Sequence, residues 1–462
     1  MTNQLSPATP LTTAQLRDAV ERLLPQIRSD LEKLVRIPGI AFPGFDHSTV
    51  QRSAEATAEL FRAAGVPDVR IVSVDGGQPA VIARRPAPPG APTVLLYAHH
   101  DVQPVGDEAE WQSPPFEPTE RDGRLYGRGT ADDKAGIAAH LAALRAHGDA
   151  LPVGVTVFIE GEEECGSPTL GAFLEQHRDL LAADVIVIAD SGNWAIGQPA
   201  LTTSLRGLAD CYVEVRTLQH AVHSGMFGGA VPDALTALCR LLATLHDDKG
   251  DVAIEGLTTA GPTQVEQSEQ VLRQESSLLD GVQLIGTGSI TERLWHKPAV
   301  SVLGIDCPDV QNASNTLIPV ARAKVSLRLA PGQDPEAGMQ ALMNHLRTHA
   351  PWGAQVTVTR GELGAPFAIN AVGPVYEAAR AAFREAWGGT APVDIGVGGS
   401  IPFIAAFAEA FPNAAILVTG VEDPDSRAHG ANESLHLGEF ARVCLAEALL
   451  LSKLAEVTAA SK

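Results

Sequence analysis

A chain of 462 residues with 34 Lys and Arg against 55 Asp and Glu has a formal charge of −21, which excludes the broad basic surface that nucleic acid or an anionic membrane selects. Hydrophobic residues make up 45% and charged residues 19%, too apolar for a disordered chain and ordinary for about two to four globular domains. Five scattered cysteines without a CxxC pair argue against a disulfide framework and against a thiolate zinc site, and with neither a basic-then-apolar leader nor a run near the ~18 apolar residues of a membrane span the expectation is a cytoplasmic protein.

The first element is a helix over 13–36, where Leu16, Val20, Leu23, Leu24, Ile27, Leu31, Leu34 and Val35 recur at three and four until Pro38 and Gly39 stop it. A second helix is predicted from Ser48, read as its N-cap, to Ala64, with Gly65 as the stop. Apolar strands follow at 93–98, 153–160 and 184–190, with helical patterns at 133–147 and 168–181. Near-continuous apolar strands separated by helices predict a sheet covered on both faces with substantial parallel pairing. From about Leu205 the order becomes strand 208–215, helix 231–246, strands 299–304 and 320–329, helix 335–349 and strand 354–360. That βαββαβ order predicts a two-layer α+β module, interrupted by a polar insertion at 247–295. The α/β pattern resumes with a helix at 373–386, a strand at 415–418 and a helix at 437–454. The expected fold class is α/β: a large domain with a mixed, largely parallel sheet between helices (1–204 and 364–462), split by a smaller α+β domain (205–363).

The polar residues of interest stand at strand ends. In YAHHDVQP, His99 and Asp101 lie two apart, so one strand face carries both, and a carboxylate can hold one imidazole nitrogen while the other binds a metal. Alone, a solvent-side pair is the better explanation of them. Asp132 and Asp133 in GRGTADDKAG open a helix, as an ordinary N-cap with first-turn charge would. In IEGEEECGS, Glu162, Glu163 and Glu164 crowd the end of an apolar strand, where like charges repel and lose hydration. Asp190 closes a further strand, and DPDSRAHGANE places His429 in a loop. His140, His147 and His177 lie in helical patterns and receive no role.

The combination outweighs its parts. Open α/β sheets gather their sites at successive strand ends. Three carboxylates (Asp132, Glu164, Asp190) and two imidazoles suit two divalent cations of the zinc type, and with one hydroxide the charges balance. Such a pair activates water. A free carboxylate beside it, Glu163, can take that water's proton and pass it to a leaving amine.

Together the blocks YAHHDVQP, WQSPPFEP, LYGRGTADDKAG, IEGEEECGS, HSGMFGG, NTLIP, SLRLAP, GGSIP and AHGANE, spanning roughly 97–433, resemble the co-catalytic zinc peptidases that include carboxypeptidase G, aminoacylase and succinyl-diaminopimelate desuccinylase. Within them the likeness is greatest to the carnosinase and cytosolic non-specific dipeptidase branch. The resemblance implies that His99, Asp132 and Asp190 hold one metal and that Asp132, Glu164 and His429 hold the other, with Asp132 bridging. It implies Glu163 as general base, Asp101 as the partner of His99, and a cis peptide between Asp132 and Asp133. It makes His223 an oxyanion donor reaching a partner subunit's site, Arg328 the binder of a substrate carboxylate, and Asn315, Thr316 and Ser400 further substrate contacts. Gly398 and Gly399 would let the backbone approach the ligand. The inserted domain becomes a lid and homodimerisation domain. Ala98, His100, Cys165, Gly430 and the missing acid before His223 depart from the pattern without removing a ligand; strand alternation turns His100 away from His99.

The expected activity is hydrolysis of short peptides with a free C-terminal carboxylate, using two divalent metals, zinc with manganese or cobalt as alternatives. An N-acyl or N-succinyl amino-acid deacylase would use the same centre and stays open here. A scaffold with a decayed site is disfavoured because every ligand is present.

Overall fold

A computed structural model describes residues 10–399 and 402–460. The chain forms two compact units. One comprises the chain through Thr203, Asn370–Ile395 and the segment from Pro402 onward; the other comprises Ser204–Ile369 and the segment beginning at Gly396. Residues 364–369 and the stretch after Gly396, assigned by sequence to the larger domain, thus cluster with the smaller unit.

The larger unit is built on a mixed sheet in the order Asp68–Val72, Ala80–Arg85, Gly154–Glu160, Thr93–His99, Val185–Ile188, Ala415–Val418, Ala200–Leu205. Its four central strands, from Gly154–Glu160 to Ala415–Val418, are mutually parallel. The outer pairings are antiparallel. Every residue of Gly154–Glu160 and Val185–Ile188 is buried, which is why these strands read as unbroken apolar runs rather than alternating ones.

Helices cover both faces. On one, Lys134–His147 packs against Thr13–Val35 and Leu437–Ala460. All its residues except Arg145 are buried, and its alanines let neighbouring helices approach closely. On the other, Phe158 and Tyr97 from the sheet meet Phe173 of Leu170–Leu181 and Phe403 and Phe407 of Pro402–Ala410. The sequence reading assigns no element to Pro402–Ala410. Ser48 is the first residue of its helix, not the cap; the Asp46 carboxylate accepts its N–H and Oγ–H.

The smaller unit is a four-stranded antiparallel sheet in the order Ala299–Asp306, Val320–Leu329, Gly207–Arg216, Gln355–Gly364. Helices Ala234–Ala243 and Pro335–Thr348 lie on one face, N-capped by Asp233 and Asp334. Val213, Leu238, Leu241, Val325, Leu327, Leu342 and Leu346 form the core between them. The insertion holds a short helix, Glu269–Glu275, capped by Ser268. Among the described residues no helix is long and apolar enough to cross a membrane.

Candidate active site

The parallel register brings the carboxyl ends of three strands side by side, with His99 opposite Glu160 and Tyr97 opposite Ile188. His99, the last residue of its strand, is wholly buried. Its Nε2 lies 3.0 Å from Asp132 Oδ1 and 3.9 Å from Asp190 Oδ1. Its Nδ1 lies 3.1 Å from the Asp101 carbonyl oxygen and 3.4 Å from Asp101 Oδ1. Asp101 therefore holds one ring nitrogen and leaves the other facing Asp132 and Asp190. The same Asp101 carboxylate accepts the N–H groups of Glu163 and Glu164 at 3.2 and 3.1 Å. It ties the His99 strand end to the glutamate turn.

Asp132 precedes a cis peptide bond to Asp133, and its carboxylate looks both ways. Oδ2 is 3.0 Å from His429 Nε2, which in turn is 3.2 Å from Glu164 Oε2. Two groups of donors result, His99–Asp132–Asp190 and Asp132–Glu164–His429, each with its ligand atoms within 4.8 Å of one another. The shared residue is Asp132.

The electrostatics fit cation binding. Burial, reinforced by neighbouring carboxylates, pushes Glu164 up to about 7 and Asp190 up to about 6, and lifts Glu163 well above the ordinary range. For Asp132 burial acts the same way, but His429 and His99 outweigh it and hold the carboxyl low. Hydrogen bonds to Asp132 and Glu164 push His429 up to about 11. The cluster gathers more negative charge than a buried site tolerates; divalent cations relieve that and displace the imidazole protons. The mixed carboxylate and imidazole donor set suits zinc, manganese or cobalt.

His100 points away, its Nε2 2.8 Å from the Pro79 carbonyl, and burial drives it down to about 4. The Cys165 thiol donates to the Glu162 carbonyl, and burial pushes it up to about 12, so it stays a thiol.

Several site residues escape sequence reasoning. Gln103 donates its backbone N–H and side-chain amide to Glu164. The buried Glu433 carboxylate accepts the N–H groups of Gly129, Ala131 and Asp132 and pairs with Arg128 Nη1 at 2.7 Å. Glu433 stands inside AHGANE, four residues after His429, so its proximity to the site was legible but its role was not. Burial and the charges of Asp132 and Asp190 lift the Glu422 carboxyl well above its usual range; it lies just upstream of DPDSRAHGANE.

In the smaller unit, His223 pairs with Thr316 in a two-stranded ribbon, and the Asn315 carbonyl accepts the Ser224 N–H. The fold thus joins the HSGMFGG and NTLIP blocks. His223 is exposed, with its Nδ1 accepting from the Gly225 N–H. Arg328 pairs with Leu208 and Ala299 across its neighbouring strands. Ser400 lies outside the described residues.

The profile of Peptidase family M20/M25/M40 matches residues 95–453. A cysteinylglycine-S-conjugate dipeptidase of Corynebacterium striatum is 36% identical over 409 residues, covering 87% of this chain and 90% of its own. A Cys-Gly metallodipeptidase of Saccharomyces cerevisiae is 27% identical, covering 91% and 94%. The crystal structure of human carnosine dipeptidase 1 superposes with a TM-score of 0.80 at 26% identity, covering 97% of this chain and all of that one.

Proposed function

The chain belongs to peptidase family M20/M25/M40, and from that premise we propose that it is a metallodipeptidase, cleaving dipeptides or short peptides that carry a free C-terminal carboxylate. One observation carries the reading: two donor triads sharing Asp132, with the half-buried Glu163 in the field of His99 and Asp190. His99, Asp132 and Asp190 would hold one divalent ion and Asp132, Glu164 and His429 the other. Bound there, the ions supply Lewis acidity and lower the pKa of water.

The protein's own groups do the rest. Asp101 fixes the His99 tautomer and, through the N–H groups of Glu163 and Glu164, sets the glutamate turn. Glu163 accepts the proton of the attacking water and delivers it to the departing amine. His223 donates to the oxyanion that develops at the scissile carbonyl. Arg328 offers a guanidinium fork to the C-terminal carboxylate, with Asn315, Thr316 and Ser400 as further contacts.

The exposed His223 supports a homodimer in which the smaller unit completes the partner's site. So do Met226 and Phe227 beside it, 75% and 45% exposed, and the strand Ala299–Asp306, which among the described residues pairs on one edge only. All five cysteines are free, which supports a reducing compartment and hence the cytoplasm.

The test is a matched panel: a free dipeptide, its N-acetyl form and its C-terminal amide, each assayed after chelation and after restoring zinc or manganese. Metal-dependent cleavage that favours the free dipeptide upholds the reading. Preference for the N-acyl compound moves the enzyme to amide deacylation.

A further inference from the structure

Arg206 stands between the strands Ala200–Leu205 and Gly207–Arg216. Its backbone N–H donates to the Val397 carbonyl at 3.1 Å. Its Nε donates to the Gly398 carbonyl at 3.3 Å and its Nη1 to the Arg293 carbonyl at 3.4 Å. The guanidinium is thus aimed by neutral backbone oxygens that offer no counter-charge. The fit is close: a Cβ at Gly398 would lie 2.8 Å from Arg206 Nη2.

The strand register places Arg328 opposite Leu208 and Leu329 opposite Gly207. By alternation, Arg206 and Leu208 share a face with Arg328, and Arg206 lies on its diagonal. Burial, with the Arg328 charge added to it, pushes Arg206 down to about 10. Among the described residues no carboxylate pairs with either guanidinium. Two like charges are half-buried side by side, and at least one fork is held rigid. An arginine needed only to brace the Gly398 carbonyl gains nothing from facing a second arginine. An anion between the two removes the repulsion and finds donors already oriented.

We infer that Arg206 is a second carboxylate-binding residue, sharing the substrate's C-terminal carboxylate with Arg328 and oriented for it by the Gly398 carbonyl. The inference rests on the dipeptidase reading and adds to it a residue that sets the preference for a free C-terminus over a blocked one.

The experiment measures kcat and KM for a free dipeptide and its C-terminal amide in the wild type, Arg206→Met, Arg206→Lys and Gly398→Ala. Loss of one charge-assisted contact to the carboxylate should raise KM for the free dipeptide about 10- to 100-fold in Arg206→Met, at little change in kcat. The amide's kcat/KM should stay near wild type. Arg206→Lys, which keeps the charge without the fork, should recover part of the preference. Gly398→Ala crowds Nη2 and should compress the same ratio with Arg206 still present, so it carries the test if the Arg206 variants do not fold. Equal losses on both substrates, or no change in their ratio, would overturn the inference and leave Arg206 a structural brace. A wild type that does not distinguish free from amidated substrate overturns the carboxylate reading itself, a separate outcome.

Discussion

Glu433 anchors the loop that carries Asp132. Its carboxylate is inaccessible to solvent and takes Arg128 Nη1 at 2.7 Å, with three backbone N–H groups between 2.9 and 3.1 Å, the last that of Asp132 itself. Burial pushes the Glu433 carboxyl up, against Arg128 and the N–H groups that hold it charged. Glu433→Gln keeps the shape and removes the charge. Arg128, 1% exposed, loses its counter-ion, and the amide NH2 must oppose a backbone N–H that formerly donated. Breaking one partner of a buried pair costs about 3–5 kcal/mol, a large part of a stability of roughly 5–15 kcal/mol. Urea unfolding of the metal-free protein reads the stability; competition against a chromophoric chelator reads metal affinity. That affinity should fall about 10- to 100-fold, as it does when outer partners of a metal ligand are lost. Arg128→Met with Glu433→Gln removes both charges, so the double variant should cost less than the sum of the singles, with a coupling of about 1–3 kcal/mol. A Glu433→Gln protein within about 0.5 kcal/mol of wild type, or strictly additive singles, would refute the account of Glu433 as a charged anchor.

Glu163→Gln should lower kcat by at least about 10²–10⁴-fold while zinc content, read by elemental analysis, stays at the wild-type value; loss of metal with activity would instead make Glu163 a ligand. Mixing inactive His223→Ala with inactive Glu163→Gln should restore roughly a quarter of wild-type activity if the sites are completed across a dimer, because half the dimers are mixed and each has one intact site; no recovery after subunit exchange counts against it. His147 is buried, its Nε2 bonds the Ala448 carbonyl at 2.8 Å, and its Nδ1 has no partner among the described residues. Burial lowers its pKa in the folded state, so the unfolded chain binds the extra proton and stability falls as pH drops below about 6.5. Urea midpoints between pH 8 and 5 should show a flatter dependence in His147→Gln than in wild type, and parallel curves would disprove the assignment.

The reach of the sequence follows the physics of each element. Strands buried on both faces announce themselves, because every position must be apolar; Thr93–His99 and Gly154–Glu160 were legible within a residue or so. Short edge strands such as Asp68–Val72 are only half-buried and carry no such signature. Pro402–Ala410 is apolar at every position but Glu409, so its helical period is invisible. Ser48 shows a subtler limit: the Asp46 carboxylate accepts its N–H and hydroxyl, so the serine is held as a donor in the first turn and not as the cap that its residue type suggests. The two parts of the candidate site differ likewise. His99, Glu163, Glu164 and Asp190 could be nominated because charge at the end of an apolar strand is costly and demands a reason; Asp132, which opens a helix where a carboxylate is ordinary, joined them only through the combination.

What stayed hidden is whatever works through the backbone. Glu433 acts on three N–H groups, Gln103 lends its own N–H to Glu164, and Arg206 leans on two carbonyls. Main-chain partners leave no residue-type signal, so no pattern of side chains points to them. Asp101 shows why they matter. One carboxylate, within reach of His99 Nδ1 and of two N–H groups at the glutamate turn, sets the position of a proposed ligand from each triad and of the proposed base together. A substitution there should therefore disturb metal binding and proton transfer at once, whereas Glu163→Gln separates them.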